Sequence, residues 1–152
     1  MGNWISVKGK VQRGYGVASG KSGDSRFPKG TLELQKPFFY ERGLNLDDYY
    51  LGTINLSIFP HQYEVKVPKC TFRDVRWSPN NPAEDFSFFD CRIVTDSNNP
   101  LNGLIYYPHP ETKPEHFQSP DILEIMTFPI DGLKEGDELM IELRSEEHTS
   151  EL

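Results

Sequence analysis

The stretch Leu51–Ile58 limits the folds open to this chain more than any other segment. Ile54, Leu56 and Ile58 alternate with Thr53, Asn55 and Ser57, the period of two that marks an extended strand. With the apolar set facing a core, Thr53 and Asn55 emerge together on the opposite face. Same-face neighbours on a strand sit roughly 6.5–7 Å apart, from a rise of about 3.3 Å per residue. A hydroxyl and an amide oxygen at that spacing can converge on one hydrated cation or one phosphate. They can equally do no more than solvate the outer face of an edge strand. Gly52, just before them, lets backbone or ligand approach closely.

The rest of the chain repeats the short-strand theme. Trp4–Arg13 reads as an opening strand, with Gly9 as a bulge or close-approach point. Thr31–Gln35 alternates as a short strand, and Pro37 then opens a short helix over Phe38–Arg42, stopped by Gly43. Tyr63, Val65 and Val67 alternate as a return strand. Further strands are expected at Cys70–Trp77, Phe86–Val94, Leu104–Tyr107, Asp121–Met126 and Leu139–Leu143. Eight or nine short strands and one small helix predict a mainly β fold. Closure into a compact β-barrel would remove the exposed sheet edges. A length of 152 residues fits one domain, placed at 1–143.

Composition excludes several function classes. No apolar run approaches the ~20 residues of a membrane span, and no charged-then-apolar signal opens the chain. Two cysteines, Cys70 and Cys91, make no disulfide framework, so a cytoplasmic, reduced setting is expected. A net charge of −7 argues against a nucleic-acid surface. The expectation is a monomer that binds neither membrane nor nucleic acid. Residues Arg144–Leu152 resemble the translation of a sequencing-library adapter. They are charged and non-periodic, and are expected to form a non-native, disordered tail.

Three segments carry candidate chemistry. Gly14–Gly23 is the most glycine-dense part of the protein. Gly20-Lys21-Ser22 imitates the end of a P-loop, but Gly14 and Gly16 both miss the required spacing. Gly14-x-Gly16-x-x-Ser19 lacks the third glycine of a dinucleotide fingerprint. What survives is an amide nest for an anion, or a plain surface loop. Pro108–Phe117 holds two His and two Glu among three prolines, a pattern that matches no standard zinc site and suits a rigid ligand-facing loop. Glu124 stands among apolar neighbours on a strand, where a carboxylate is paired, at a barrel rim, or used.

Taken together, these segments resemble the archaeal CTP-dependent riboflavin kinases, which are small cradle-loop β-barrels. Gly9-x-Val11-x-x-Gly14-x-Gly16 is similar to the family's nucleotide-binding opening. Gly52-Thr53-Ile54-Asn55-Leu56 is similar to its Gly-Thr-Leu-Asn strand. Gly103–Pro108 followed by Asp121-Ile-Leu-Glu124-Ile resembles its flavin-contacting section, and Leu133–Leu139 resembles its Leu-Lys-Asp-Gly-Asp ending. The resemblance implies a six-stranded-type cradle-loop barrel with additional short strands and one short helix. It also implies Mg²⁺-dependent transfer of a phosphoryl group from a nucleoside triphosphate, CTP in the family, to riboflavin, giving FMN. By the same resemblance Gly14, Tyr15, Gly16, Val17 and Ala18 would hold the nucleotide, and Thr53 and Asn55 the magnesium. Glu124 would contact the flavin together with Thr112 (by motif order) or His116 (by distance from Glu124). The chain departs from the family in a longer glycine loop, in Val17-Ala18, and in lacking most of a short helix between Met126 and Leu133. Those departures suit a bacterial branch that keeps the barrel. The competing reading is a non-catalytic barrel that binds a flavin, a nucleotide or a protein partner.

Overall fold

The longest strand shows how the protein is built. In the computed structural model, which describes residues 4–12, 31–50, 52–79, 82–94, 100–112, 121–128, 130, 133–144 and 148–151, this strand runs over Glu84–Val94 and is buried on both faces. Numbered in chain order, the elements are β1 (Trp4–Gln12), α1 (Thr31–Glu41), β2 (Ile54–Ser57), β3 (Gln62–Val65), β4 (Cys70–Val75), β5 (Glu84–Val94), β6 (Leu101–Pro108), β7 (Ile122–Thr127), β8 (Glu138–Arg144) and β9 (His148–Glu151). Six antiparallel strands close a barrel in the order β5-β6-β7-β2-β1-β8, with β8 returning to β5. Strand β4 lies outside the ring. It pairs with the first half of β5, and β8 pairs with the second half, Cys91–Val94.

This division of β5 makes two cores. Phe89, Cys91 and Ile93 point into the barrel with Val7, Leu56, Ile105, Ile125 and Ile141. Phe86 and Phe88 point the other way, beneath α1, with Phe72, Leu104 and Tyr106. Gly9 is the close-approach point expected of it, because a Cβ there would lie 2.5 Å from Leu56 Cγ. The β1–β8 register runs unbroken from Trp4 to Lys10, so no bulge is involved. Cys70 and Cys91 are both thiols, Cys91 being buried. Among the described residues, no helix is long and apolar enough to cross a membrane.

The segment expected to be a strand at Thr31–Gln35 is instead the first half of α1, and Pro37 lies inside the helix rather than at its start. Leu32, Gln35 and Phe39 are buried at helical spacing, and Phe39 anchors the set. Its ring centroid lies 5.8 Å from that of Phe72 and 5.1 Å from those of Phe86 and Phe88. A proline inside a helix costs about 3 kcal/mol, whereas burying Leu32 and Phe39 returns about 1.5–3 kcal/mol each. Tertiary packing therefore overrides the local preference. Pro37→Ala is expected to raise stability by about 1–3 kcal/mol, because a helical hydrogen bond is regained at an exposed position. A urea midpoint that does not rise would contradict this account.

The return strand expected at residues 63–67 does form in part, as β3, but it does not face a core. Val65 and Val67 are 37% and 66% exposed. Its partner is β9, in register from Gln62↔Glu151 to Val65↔His148. The tail expected to be disordered from Arg144 onward thus contributes structure. Arg144 ends β8 opposite Trp4, and residues 148–151 pair with β3. The physical reason is that ladder bonds join backbone to backbone, so a polar string without apolar period can still satisfy an edge strand. A lone two-stranded ribbon is marginal in water. Truncation after Arg144 is therefore expected to leave the barrel's melting temperature nearly unchanged while abolishing hydrogen-exchange protection at Gln62–Val65. Protection retained in the truncated chain would show that β3 does not depend on β9.

Candidate functional site

The barrel register assembles the residues singled out on β2. Asn55 stands directly opposite Gln12 on β1 and directly opposite Glu124 on β7. Opposed residues on neighbouring strands share a face, with Cβ atoms about 4.5–5.5 Å apart. Leu56 and Ile58 are fully buried, so the alternation predicted for this strand sends Asn55 to the outer surface of the barrel with Glu124. Thr53 precedes β2 and is half-buried, as is Asn55. The side-chain oxygen Oδ1 of Asn55 is nevertheless buried, and among the described residues it has no hydrogen-bond partner. A buried carbonyl oxygen left in this state loses its hydration without replacement, so it favours whatever electrophile can reach it.

Tyr106 extends the row under the helix. Its buried hydroxyl donates to Gln35 Oε1 at 2.7 Å, tying α1 to β6. Burial holds the Tyr106 phenol well above its ordinary ionisation range. The nearby carboxylates of Glu124 and Glu84 add to that. Glu84 in turn accepts the Trp77 indole N–H at 2.8 Å. Because the folded phenol holds its proton more tightly than the unfolded one, its contribution to stability is complete below about pH 10 and is lost as pH rises further. Tyr106→Phe should lose about 1 kcal/mol at neutral pH and show a shallower fall in stability above pH ~10. Urea melts of both proteins between neutral and alkaline pH check this, and parallel curves would remove Tyr106 from the alkaline transition.

The remaining predicted site residues are placed differently. Gly14, Tyr15, Gly16, Val17, Ala18 and His116 lie outside the described residues. Thr112 sits in a short 3₁₀ turn, Pro110–Thr112, after β6. Its hydroxyl donates to His109 O at 3.1 Å and accepts the Asp85 backbone N–H at 2.9 Å. It is therefore engaged in holding the turn to β5, while Asn55 and Glu124 face each other across β2 and β7.

A polar chain that sequence analysis did not assemble lies beside that turn. Thr71 Oγ1 is 2.8 Å from Ser87 Oγ, Ser87 Oγ is 2.7 Å from His109 Nε2, and His109 Nδ1 is 3.3 Å from Glu111 Oε1. With the ring proton on Nδ1, the imidazole donates to Glu111 and accepts from Ser87. The order of hydroxyl, imidazole and carboxylate is that of a nucleophilic relay. Ser87 is only 2% exposed in mid-strand, however, so a substrate carbonyl cannot reach it. The chain fixes the turn. Asp85 does the same from its other side, accepting from Arg73 at 3.0 Å and from the Asp74 amide at 2.8 Å where β4 shifts register. The one available sequence signal was Ser87 itself, a hydroxyl inside the apolar run Phe86–Phe89.

A comparison with protein-family models finds no match, and no curated protein matches the chain.

Proposed function

We propose that this protein is a riboflavin kinase-like phosphotransferase, moving a phosphoryl group from a nucleoside triphosphate to riboflavin to give FMN. The observation that carries the reading is the opposition of Asn55 and Glu124 on β2 and β7, with Asn55 Oδ1 buried and unpartnered among the described residues. The family resemblance gives these two residues to the metal and to the flavin, and the barrel register brings them onto one face. Among the described residues no three His, Cys, Asp or Glu side chains gather as a metal site. A divalent ion here would rest on neutral oxygens and on phosphate, a donor set that suits Mg²⁺. Asn55 Oδ1 and the Thr53 hydroxyl are the oxygens that fit it.

When bound, the ion would neutralise charge on the transferring phosphates. The chain's own share is positioning. Asn55 and Thr53 orient the phosphates, and Glu124 orients the flavin ring through its carboxylate. The glycine-rich residues 13–30 leave β1 at Gln12, the neighbour of Asn55, and rejoin the fold at Thr31 in the helix that reaches Tyr106. The first attachment of that segment thus adjoins Asn55, which favours Gly14–Ala18 as the anion-binding amides of the proposed site.

The test is a screen of CTP, ATP, GTP and UTP with riboflavin, with and without Mg²⁺, reading FMN by chromatography and flavin binding by fluorescence quenching. Magnesium-dependent FMN formation with one of the four is expected, CTP first. Quenching without any transfer would replace the kinase by a non-catalytic flavin-binding barrel.

A further inference from the structure

The register that sets Asn55 against Glu124 also sets it against Gln12, a residue that neither the motifs nor the family resemblance assigns. We propose that Gln12 is a further oxygen ligand of the divalent ion at Asn55, an inference that rests on the phosphotransferase reading of that site. Val11 and Leu56, the residues next to this pair, stand opposite each other and are buried in the barrel. Gln12 and Asn55 therefore share the outer face, with Cβ atoms about 4.5–5.5 Å apart.

The two carboxamides are not spent on each other. Asn55 Oδ1 is buried and has no hydrogen-bond partner among the described residues, although a single N–H from Gln12 would satisfy it. Gln12 is exposed, and among the described residues its side chain has no partner either. Two such amide oxygens on facing strands are a pair of donors for a hard cation, which takes carbonyl oxygens readily. The extra methylene of glutamine gives its oxygen the reach to meet the recessed oxygen of Asn55. The charges on this face point the same way. Glu124 stands directly across the other ladder from Asn55, whereas Lys10, on the same face of β1, pairs with Ser57 one row along. A diagonal neighbour of that kind lies roughly 7–8 Å away, against about 4.5–5.5 Å for a direct one. The nearer charge is therefore the carboxylate, and the field at Asn55 favours a cation.

The probe is Mn²⁺ alone, a paramagnetic substitute for Mg²⁺ in oxygen sites, titrated into the full chain without nucleotide or flavin. The free-ion EPR signal reads binding, and paramagnetic broadening of side-chain amide NMR signals reads its place. A Kd of about 0.1–1 mM is expected for a site with so few charged ligands, with the NH₂ signals of Gln12 and Asn55 broadened together. Gln12→Met keeps the stem and removes the oxygen, and should weaken Mn²⁺ by about fivefold or more. Gln12→Glu should tighten it by about the same factor, because ligand charge sets affinity. Both variants should melt as the wild type does, since the position is exposed. The proposal is overturned if Mn²⁺ shows no saturable binding, or broadens signals away from Gln12 and Asn55. It is also overturned if Gln12→Met binds the ion as well as the wild type or better, the latter marking Gln12 as a rival donor to Asn55. The kinase reading fails separately. Mn²⁺ binding that follows Gln12 without any FMN formation removes only the kinase, and FMN formation with Mn²⁺ binding indifferent to Gln12 removes only the present inference.

Discussion

Asn55→Ala is expected to fold normally and, in the proposed kinase, to lose phosphoryl transfer by ~10²-fold or more, the scale on which removal of one positioned electrostatic group acts. The two halves of this result have separate causes. Oδ1 has no hydrogen-bond partner among the described residues, so its removal breaks no bond and relieves a desolvated oxygen. Stability should therefore change by no more than ~0.5 kcal/mol, the usual limit away from packed or bonded positions. Leu56 and Ile58, which anchor β2 in the barrel, face the other way and are undisturbed. Thr53→Ala should behave similarly. The double variant should be little worse than either single one, since in the proposed kinase both residues would act through the same ion. Riboflavin binding without nucleotide should persist in all three and weaken in Glu124→Gln. FMN formation and thermal melts on the same preparations check both halves. A variant that loses fold and activity together would make Asn55 structural.

That strand was the most legible part of the fold for a physical reason. Its period of two extends over enough residues to fix which side chains share a face, and register then carries Asn55 to Glu124 with no further information. The two-faced burial of β5 left a weaker trace, the apolar residues Phe86, Phe88, Phe89, Cys91, Ile93 and Val94 interrupted by Ser87, Asp90 and Arg92. Pairing remained hidden, because strand alternation says nothing about which neighbour a strand takes. That β8 would close the ring on one half of β5, and β4 occupy the other half, had to come from the fold itself. The β3–β9 ladder was hidden for a different reason, being a backbone contact with a segment whose sequence, His148-Thr-Ser-Glu151, carries no apolar alternation. Thr112, offered by motif order, uses its hydroxyl to tie its own turn to β5, a contact that motif order does not reveal.

Residues 31–41 show how a local pattern can mislead. Leu32 and Leu34 alternate with Thr31, Glu33 and Gln35, which over five residues is indistinguishable from a strand. The helical reading requires a buried glutamine at Gln35 and a proline in mid-helix, two features that propensity disfavours. Both are explained only by what the helix covers. Gln35 is buried because Tyr106 donates to it, and Pro37 is tolerated because it lies on the exposed side. Leu34, the residue that made the strand reading attractive, is 43% exposed.

Phe39→Ala is expected to have the largest effect on stability, a loss of about 3–5 kcal/mol, the range for truncating a fully buried phenylalanine. The ring is completely buried and touches Phe72, Phe86 and Phe88, so its removal opens a cavity bordered by strands β4 and β5. Those strands cannot collapse to fill it, because β5 is held on its other face by the barrel core through Phe89 and Ile93. Leu32 and Gln35 depend on the same docking, and helix α1 carries Pro37 as an internal penalty that only this packing opposes. With a total near 5–15 kcal/mol for a domain, a loss of that size removes much of the stability. The damage should be uneven. Exchange protection should fall first in α1 and β4, which contribute to the outer core, while β1, β2 and β8, which contribute to the barrel core, should remain protected. Undocking of the helix would end the burial that raises the Tyr106 phenol, so the variant should also lose the alkaline transition assigned to Tyr106. Native-state hydrogen exchange at neutral pH reads the uneven protection, and urea melts from neutral to alkaline pH read the Tyr106 transition. Uniform loss of protection across both cores would show instead that the helix-covered sheet and the barrel unfold as a single unit.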